Sequence, residues 1–175
     1  MLVTISGLPG SGTSTVAQRV AGDLGLTHLD GGTIFRRLAA DAGMSLADFG
    51  AFAERHPEVD LALDSRLAER VRQGDVVLES RLGGWIAHNE GLDAVRVWLA
   101  CAAEVRATRV ARRDGLTQEE ALEVNRAREA SEQTRYLAYY GIDLGDLGLY
   151  HLVLDSAATA PEELAATVAD HARSG

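Results

Sequence analysis

Apolar residues in this chain gather in five short runs, Leu2–Ile5, Thr27–Leu29, Val76–Leu78, Val95–Leu99 and Leu152–Leu154. Between the runs lie longer stretches in which apolar residues recur every three or four positions. The short runs show no sustained alternation of apolar and polar residues, the pattern of parallel strands covered on both faces. The longer stretches predict helices over Val16–Leu24, Ile34–Ala42, Glu104–Arg113 and Thr117–Tyr139, and a last one opened by Pro161. Ser45 followed by Asp48 has the form of an N-cap with an acid at the third helical position. Pro57 suits a first helical turn and Gly74 a helix stop. Strands alternating with helices predict an α/β fold on a mostly parallel sheet.

Two blocks break the alternation. Residues 33–73 place three helices between the second and third strands, and residues 102–150 place two more between the fourth and fifth. Both exceed a plain crossover. They are expected over the C-terminal ends of the strands, where open α/β sheets bind ligands. The length, 175 residues, predicts one domain with a substantial core.

The first strand and first helix are joined by Gly7-Leu8-Pro9-Gly10-Ser11-Gly12-Thr13-Ser14. Strand, glycine loop and helix in that order make a phosphate-cradling P-loop. The glycines let backbone N–H groups approach an anion without Cβ obstruction. The helix start adds unpaired N–H groups and partial positive charge. Ser14 stands where a hydroxyl would ligate Mg²⁺. The lysine usual before that hydroxyl is replaced by Thr13, and all 17 Lys-plus-Arg positions of the chain are arginine. Positive charge on a transferring phosphoryl group must then come from arginine, a metal ion or backbone amides. Nucleotide binding without turnover is the alternative reading of such a loop.

The net charge of −9 argues against nucleic acid as the main partner. It leaves room for a local arginine pocket. The single cysteine, Cys101, excludes an internal disulfide and is expected to be a buried structural thiol in a reducing compartment. No apolar run approaches membrane-spanning length, so no membrane contact is expected. The first strand begins at residue 2, which predicts no signal peptide and a cytoplasmic location. The five histidines show no metal-ligand spacing.

The arginines carry the remaining signal. Arg36 and Arg37 follow Gly31–Phe35, Arg66 follows Asp60 and Asp64, and Arg81 comes directly after the strand ending at Leu78-Glu79. Arg128, Glu132 and Arg135 are spaced to share one helix face. They make either a solvated ladder, worth about 0.3–0.5 kcal/mol per pair, or a set of groups aimed at an anion. Arg109 and Arg113, four apart with Arg112 beside them, repel one another unless an anion sits among them. Two such helices beside a P-loop predict a mobile cover that reaches the phosphates on closure. Glu79 either holds a Mg²⁺-bound water or faces solvent. Asp60 and Asp64 either bind a base or ribose or lie on the surface. Trp85, after Gly83-Gly84, either packs in the core or stacks on a base.

Taken together, Ile5–Thr15, Gly32–Arg36, Gly43–Leu46, His56–Asp60, Val76–Leu82, Trp85, Glu104–Ala107, Ala111–Gly115, Ser131-Glu132, Arg135-Tyr136, Tyr140–Asp143 and Leu152–Ser156 resemble the archaeal-type cytidylate kinases. These form a branch of the nucleoside monophosphate kinases that commonly carries threonine in place of the P-loop lysine. The resemblance implies a three-layer P-loop fold with a five-stranded parallel sheet, a helical acceptor-binding insertion within 33–73 and a helical lid within 102–150. It implies transfer of the ATP γ-phosphoryl group to CMP or dCMP, with Mg²⁺, by a monomer whose partners are small-molecule nucleotides.

Carried over by residue, Gly7, Leu8, Pro9, Gly10, Ser11, Gly12, Thr13, Ser14 and Thr15 would hold the ATP phosphates, with Asp155 and Ser156 near the adenine. Ser14 and Glu79 would hold the metal. Arg36, Asp64, Arg66 and Arg81 would bind the acceptor. Arg112, Arg128 and Arg135, with Glu132 among them, would serve the acceptor site and lid and form the catalytic set with Thr13. Ser80 stands where the family usually has glycine, and Leu61 and Ser65 where it has polar or basic residues. These departures keep another nucleotide or small-molecule acceptor open.

Overall fold

The computed structural model describes residues 1–174. Five parallel strands, β1 (Leu2–Gly7), β2 (Thr27–Asp30), β3 (Val76–Glu79), β4 (Val95–Ala100) and β5 (Leu152–Asp155), form one sheet in the order β2-β3-β1-β4-β5. Side chains alternate across a strand, and here both faces are covered. Val3, Ile5, Val77, Val97 and Leu99 point to one side, where they meet Val16 and Val20 of α1 (Thr13–Leu24) and Leu164 and Val168 of α8 (Pro161–Ser174). Leu2, Val76 and Leu78 point to the other, against Leu63, Leu67 and Val71 of α4 (Glu58–Val71) and Ile86 of α5 (Gly83–Asn89). Every residue of β1 and β3 is buried, the polar Thr4, Ser6 and Glu79 included, so neither strand has a solvent-facing side.

The two helical blocks emerge at the C-terminal end of this sheet. Between β2 and β3 lie α2 (Gly31–Asp41), α3 (Leu46–Ala53) and α4. Asp30 caps α2 by accepting from the Thr33 amide at 2.8 Å. Ser45 caps α3 by accepting from the Asp48 amide at 3.1 Å. Between β4 and β5 lie α6 (Ala103–Asp114) and α7 (Gln118–Tyr140), packed together around Ala107, Val110 and Ala121. Thr117 and Glu120 form a full capping box at the start of α7. Its far end reaches the other block, where the Tyr139 hydroxyl donates to the Ala53 carbonyl at 2.7 Å.

Three local expectations change. Helix α1 starts at Thr13 rather than Val16, so Thr13 and Ser14 belong to its first turn. Cys101 is half-buried rather than a core thiol. Helix α5 has no counterpart in the sequence reading, because it begins with two glycines, poor helix formers. Trp85 within it packs on the α4 side of the core, which settles its role as packing.

The glycine at 84 is required by close approach. A Cβ there would stand 2.5 Å from Cε1 and 2.9 Å from Cζ of the buried Tyr150. Ala at this position gains about 1 kcal/mol of helix propensity but overpacks the core, at a cost of about 1–3 kcal/mol. Gly84→Ala is therefore expected to lower the urea midpoint with an unchanged m value. A midpoint equal to or above that of the parent protein would contradict this packing.

Candidate active site

The loop after β1 is shaped by two glycines in the left-handed region, Gly10 (φ 84°) and Gly12 (φ 87°). At Gly10 a Cβ would also come within 2.6 Å of the Arg106 carbonyl oxygen, so only glycine fits between the loop and α6. Gly12 caps α1 without a side chain, which leaves the first amides of the helix available to a ligand.

The loop is fastened from behind. Arg106 donates to the carbonyls of Pro9 and Cys101, each at 3.1 Å, and pairs with Glu129. Ser156 donates to the Ser11 carbonyl at 2.7 Å, and Arg109 donates to the Ser156 carbonyl at 2.6 Å. An anion cradle made of backbone amides works only if the backbone is held still, and these contacts hold it.

Strand parity places Glu79. It lies two residues beyond Val77 and so points to the α1 side, and its register partner Ile5 sits just before the loop departs. Glu79 is 7% exposed. Its Oε1 accepts from Thr13 Oγ1 at 2.9 Å and from Ser14 Oγ at 2.6 Å, while His28 Nε2 lies 3.0 Å from Oε2. The solvent-facing alternative for Glu79 is excluded.

Across the cleft, α7 presents Arg128, Glu132 and Arg135. The solvated-ladder alternative fails here too, since Glu132 is 4% and Arg135 3% exposed. Glu132 accepts from Arg81 Nε at 2.6 Å and from Arg128 Nε at 2.9 Å, and Arg81 Nη1 donates to the Gly7 carbonyl. Burial would raise the Glu132 carboxyl, but the two guanidiniums outweigh it and hold it below its usual range. Arg135 Nη1 contacts both Asp60 oxygens, at 2.5 and 2.6 Å, and its guanidinium carbon lies 5.2 Å from the Phe35 ring centroid. Asp64 accepts from the Tyr140 hydroxyl at 2.7 Å. Burial raises its carboxyl to about 6, with the Tyr140 hydrogen bond pulling the other way and Asp60 pushing up further.

One cleft of about 340 Å³ joins these groups. Gly7, Leu8, Pro9, Gly10, Gly12, Thr13, Ser14, Thr15, Arg36, Asp64, Glu79, Arg81, Arg128, Glu132 and Arg135 all line it.

Other predicted site residues lie elsewhere. Arg66 is exposed and outside the cleft, because it follows Asp64 by two positions, about 200° round α4. Arg112 is exposed; Arg109 and Arg113, four apart, share the face that lines the cleft. Asp155 is exposed, its carboxylate taken by the Ala157 amide at 2.8 Å. Ser11 and Ser156 are buried behind the loop rather than open to the cleft.

The sequence reading missed Phe35, His28, Arg106, Tyr136 and Tyr140. Of these only Phe35, directly before Arg36 in a helix that opens at the cleft, carries a local signal.

A parallel sheet, a glycine loop into α1 and a guanidinium-lined cleft above the strand ends define a P-loop kinase. Solved structures of this architecture include a gluconokinase from Sinorhizobium meliloti (TM-score 0.63, 17% identity, 98% of this chain and 91% of that one). A shikimate kinase from Acinetobacter baumannii in complex with shikimate is similar to the same degree (TM-score 0.61, 16% identity, 99% and 93%). At these identities the likeness is one of fold alone.

Sequence relatives are nearer. The cytidylate kinase of Pyrococcus horikoshii is 43% identical over 168 residues, covering 96% of this chain and 86% of its own. That of Halobacterium salinarum is 46% identical over 171 residues, covering 97% and 88%. The family model described as cytidylate kinase-like matches residues 2–73 and 56–158. The chain belongs to the cytidylate kinase-like family.

The raised Asp64 carboxyl has a consequence for stability. The folded protein keeps this proton up to about pH 6, whereas the unfolded chain has lost it by about pH 4. Stability contributed by the group therefore falls as pH rises through that window. Asp64→Asn is expected to unfold at higher urea than the parent at pH 7.5, by about 1 kcal/mol, and to match it near pH 4. Equal stabilities at both pH values would show that the carboxyl is not shifted.

Proposed function

We propose that this protein is an ATP-dependent cytidylate kinase that converts CMP or dCMP to the diphosphate. The observation that carries the reading is the convergence, in one cleft, of a backbone anion cradle with the Arg81–Glu132–Arg128 cluster. The Gly7–Ser14 loop would take the donor phosphates. The groups around Arg36, Asp60, Asp64 and Arg135 would take the acceptor. Phe35 offers a ring face to a base and Asp64 an acceptor for its donor groups. The protein would act as a monomer, and its ligands would be soluble nucleotides in the cytoplasm. Among the described residues no helix is long and apolar enough to cross a membrane.

A divalent cation suits the residues present. The Ser14 hydroxyl and the Glu79 carboxylate are hard oxygen donors already 2.6 Å apart at the loop's end. No cluster of three or more His, Cys, Asp or Glu among the described residues could cage an ion. Ser14 and Glu79 would therefore hold Mg²⁺ together with phosphate and water oxygens, the usual habit of that ion. When bound it would neutralise phosphate charge.

The chain's own groups need little covalent chemistry. An acceptor phosphate oxygen, already ionised at pH 7, attacks the γ-phosphorus. The new O–P bond forms as the bond to the β–γ bridging oxygen breaks, and ADP leaves with that electron pair. No protein nucleophile or base is required. The arginines hold the two phosphates in line and stabilise charge on the transferring group.

In a coupled assay of ADP release over a panel of acceptors, CMP and dCMP should give the highest kcat/KM. Greater activity with AMP or UMP would overturn the acceptor assignment, and ATP binding without transfer to any acceptor would overturn the kinase reading. Arg128→Ala should lower kcat/KM by well over about tenfold, beyond what an exposed ion pair supplies. Arg113→Ala should cost more than Arg112→Ala and Arg66→Ala, each of which should stay within about twofold of the parent. The reverse ranking would show that the cleft recruits different arginines when it closes.

A further inference from the structure

We infer that Arg81 performs, at the donor phosphates, the task of the lysine that Thr13 displaces, so that one guanidinium serves both substrates. This rests on reading the Gly7–Ser14 loop as the donor site. The side chain at position 13 lies across the mouth of the loop. Its hydroxyl donates to Glu79 Oε1 at 2.9 Å, and its methyl is 3.1 Å from where a Cβ on Gly7 would stand. Thr13 lines the cleft, and a P-loop lysine at this position reaches the β- and γ-phosphates.

A guanidinium already reaches the loop at Gly7. Arg81 leaves the end of β3 and places Nη1 on the carbonyl of Gly7, the first residue of the loop. Its charge is not cancelled there. Arg81 and Arg128 share the single carboxylate of Glu132, so within this trio two positive charges face one negative.

The other arginines on the loop are committed elsewhere. Arg106 is tied to Pro9, Cys101 and Glu129, and Arg109 to the carbonyls of Ser156 at 2.6 Å and Gly10 at 3.5 Å, neither of them at Gly7. Arg81 holds Glu132 through Nε at 2.6 Å, its Nη2 contact to that carboxylate is long at 3.4 Å, and the Gly7 carbonyl is a partner that its outer nitrogens can exchange for phosphate oxygens.

The test measures binding of the β,γ-imido analogue of ATP, with Mg²⁺ and without acceptor, by titration calorimetry. It compares the parent protein, Arg81→Met, Thr13→Lys and the double variant. Arg81→Met should weaken the analogue by about tenfold or more. Thr13→Lys should return the Arg81→Met variant to within about threefold of the parent, yet add less than about threefold in the parent itself, where the position is already served. The KM for CMP should stay raised in the double variant, since the lysine replaces only the donor contact.

Analogue binding unchanged in Arg81→Met, or Thr13→Lys tightening the parent by about tenfold, would overturn the inference. The second result decides the matter alone if Arg81→Met does not fold. A parent protein that fails to bind the analogue would instead remove the donor-site reading on which the inference stands.

Discussion

One buried carboxylate, Glu132, organises the catalytic half of this molecule. A lone carboxylate at that depth would cost several kcal/mol. Glu132 is tolerable because Arg81 and Arg128 both hydrogen-bond to it, at 2.6 and 2.9 Å. The arrangement constrains two distant parts of the chain at once. It fixes α7 across the cleft, and it fixes the loop after β3, and with it the Gly7 end of the anion cradle. It also leaves the cleft positively charged in a protein whose net charge is −9. A multiply charged phosphate entering between the cradle and α7 completes a cluster that is otherwise one anion short.

The absence of lysine makes the rest of the site intelligible. With Thr13 in place of an ammonium group, its hydroxyl joins that of Ser14 on one oxygen of Glu79, and His28 occupies the other. The carboxylate is thus oriented before any ion arrives. Positive charge is supplied by guanidiniums positioned by their ion pairs to Glu132 rather than by a flexible side chain. Such preorganisation suits phosphoryl transfer, in which positioning and electrostatics carry almost all the catalysis.

What could be read without coordinates follows the same physics. The P-loop is legible because its parts are contiguous: strand, glycines and helix start occupy a few residues and interact locally. The face shared by Arg128, Glu132 and Arg135 is legible from helical spacing, yet spacing cannot say whether the face meets water or a cleft. That depends on α3 and α4 packing under the end of α7, through contacts such as Tyr139 to Ala53 and Tyr140 to Asp64. His28 is invisible for a related reason. Its meeting with Glu79 is set by the β2–β3 register, which pairs Asp30 with Glu79 and puts His28 beside Val77 on the α1 side. Arg66 and Arg112 were attached to the site by resemblance in sequence, and the helical phase of α4 and α6 turns each away from the cleft.

The same contacts limit how a lid drawn from residues 102–150 could move. A rigid swing of that whole block would break the Arg135–Asp60 pair, the Tyr139 and Tyr140 hydrogen bonds and the bond from Arg81 to Glu132. These anchor the C-terminal half of α7 to α3, to α4 and to the loop after β3. At its other end α6 is tied to the P-loop through Arg106 on the Pro9 carbonyl and Arg109 on the Gly10 carbonyl. What remains loosely held is the turn between them, around Gly115 and the start of α7, whose residues are mostly exposed and which rests on the small cluster of Ala107, Val110 and Ala121. Closure over bound phosphates is therefore best accommodated by flexing at that end, which would carry Arg113 inward. In such a motion the Glu132 cluster would stay in place as the fulcrum, and the groups around Arg135 and Asp60 would keep their arrangement.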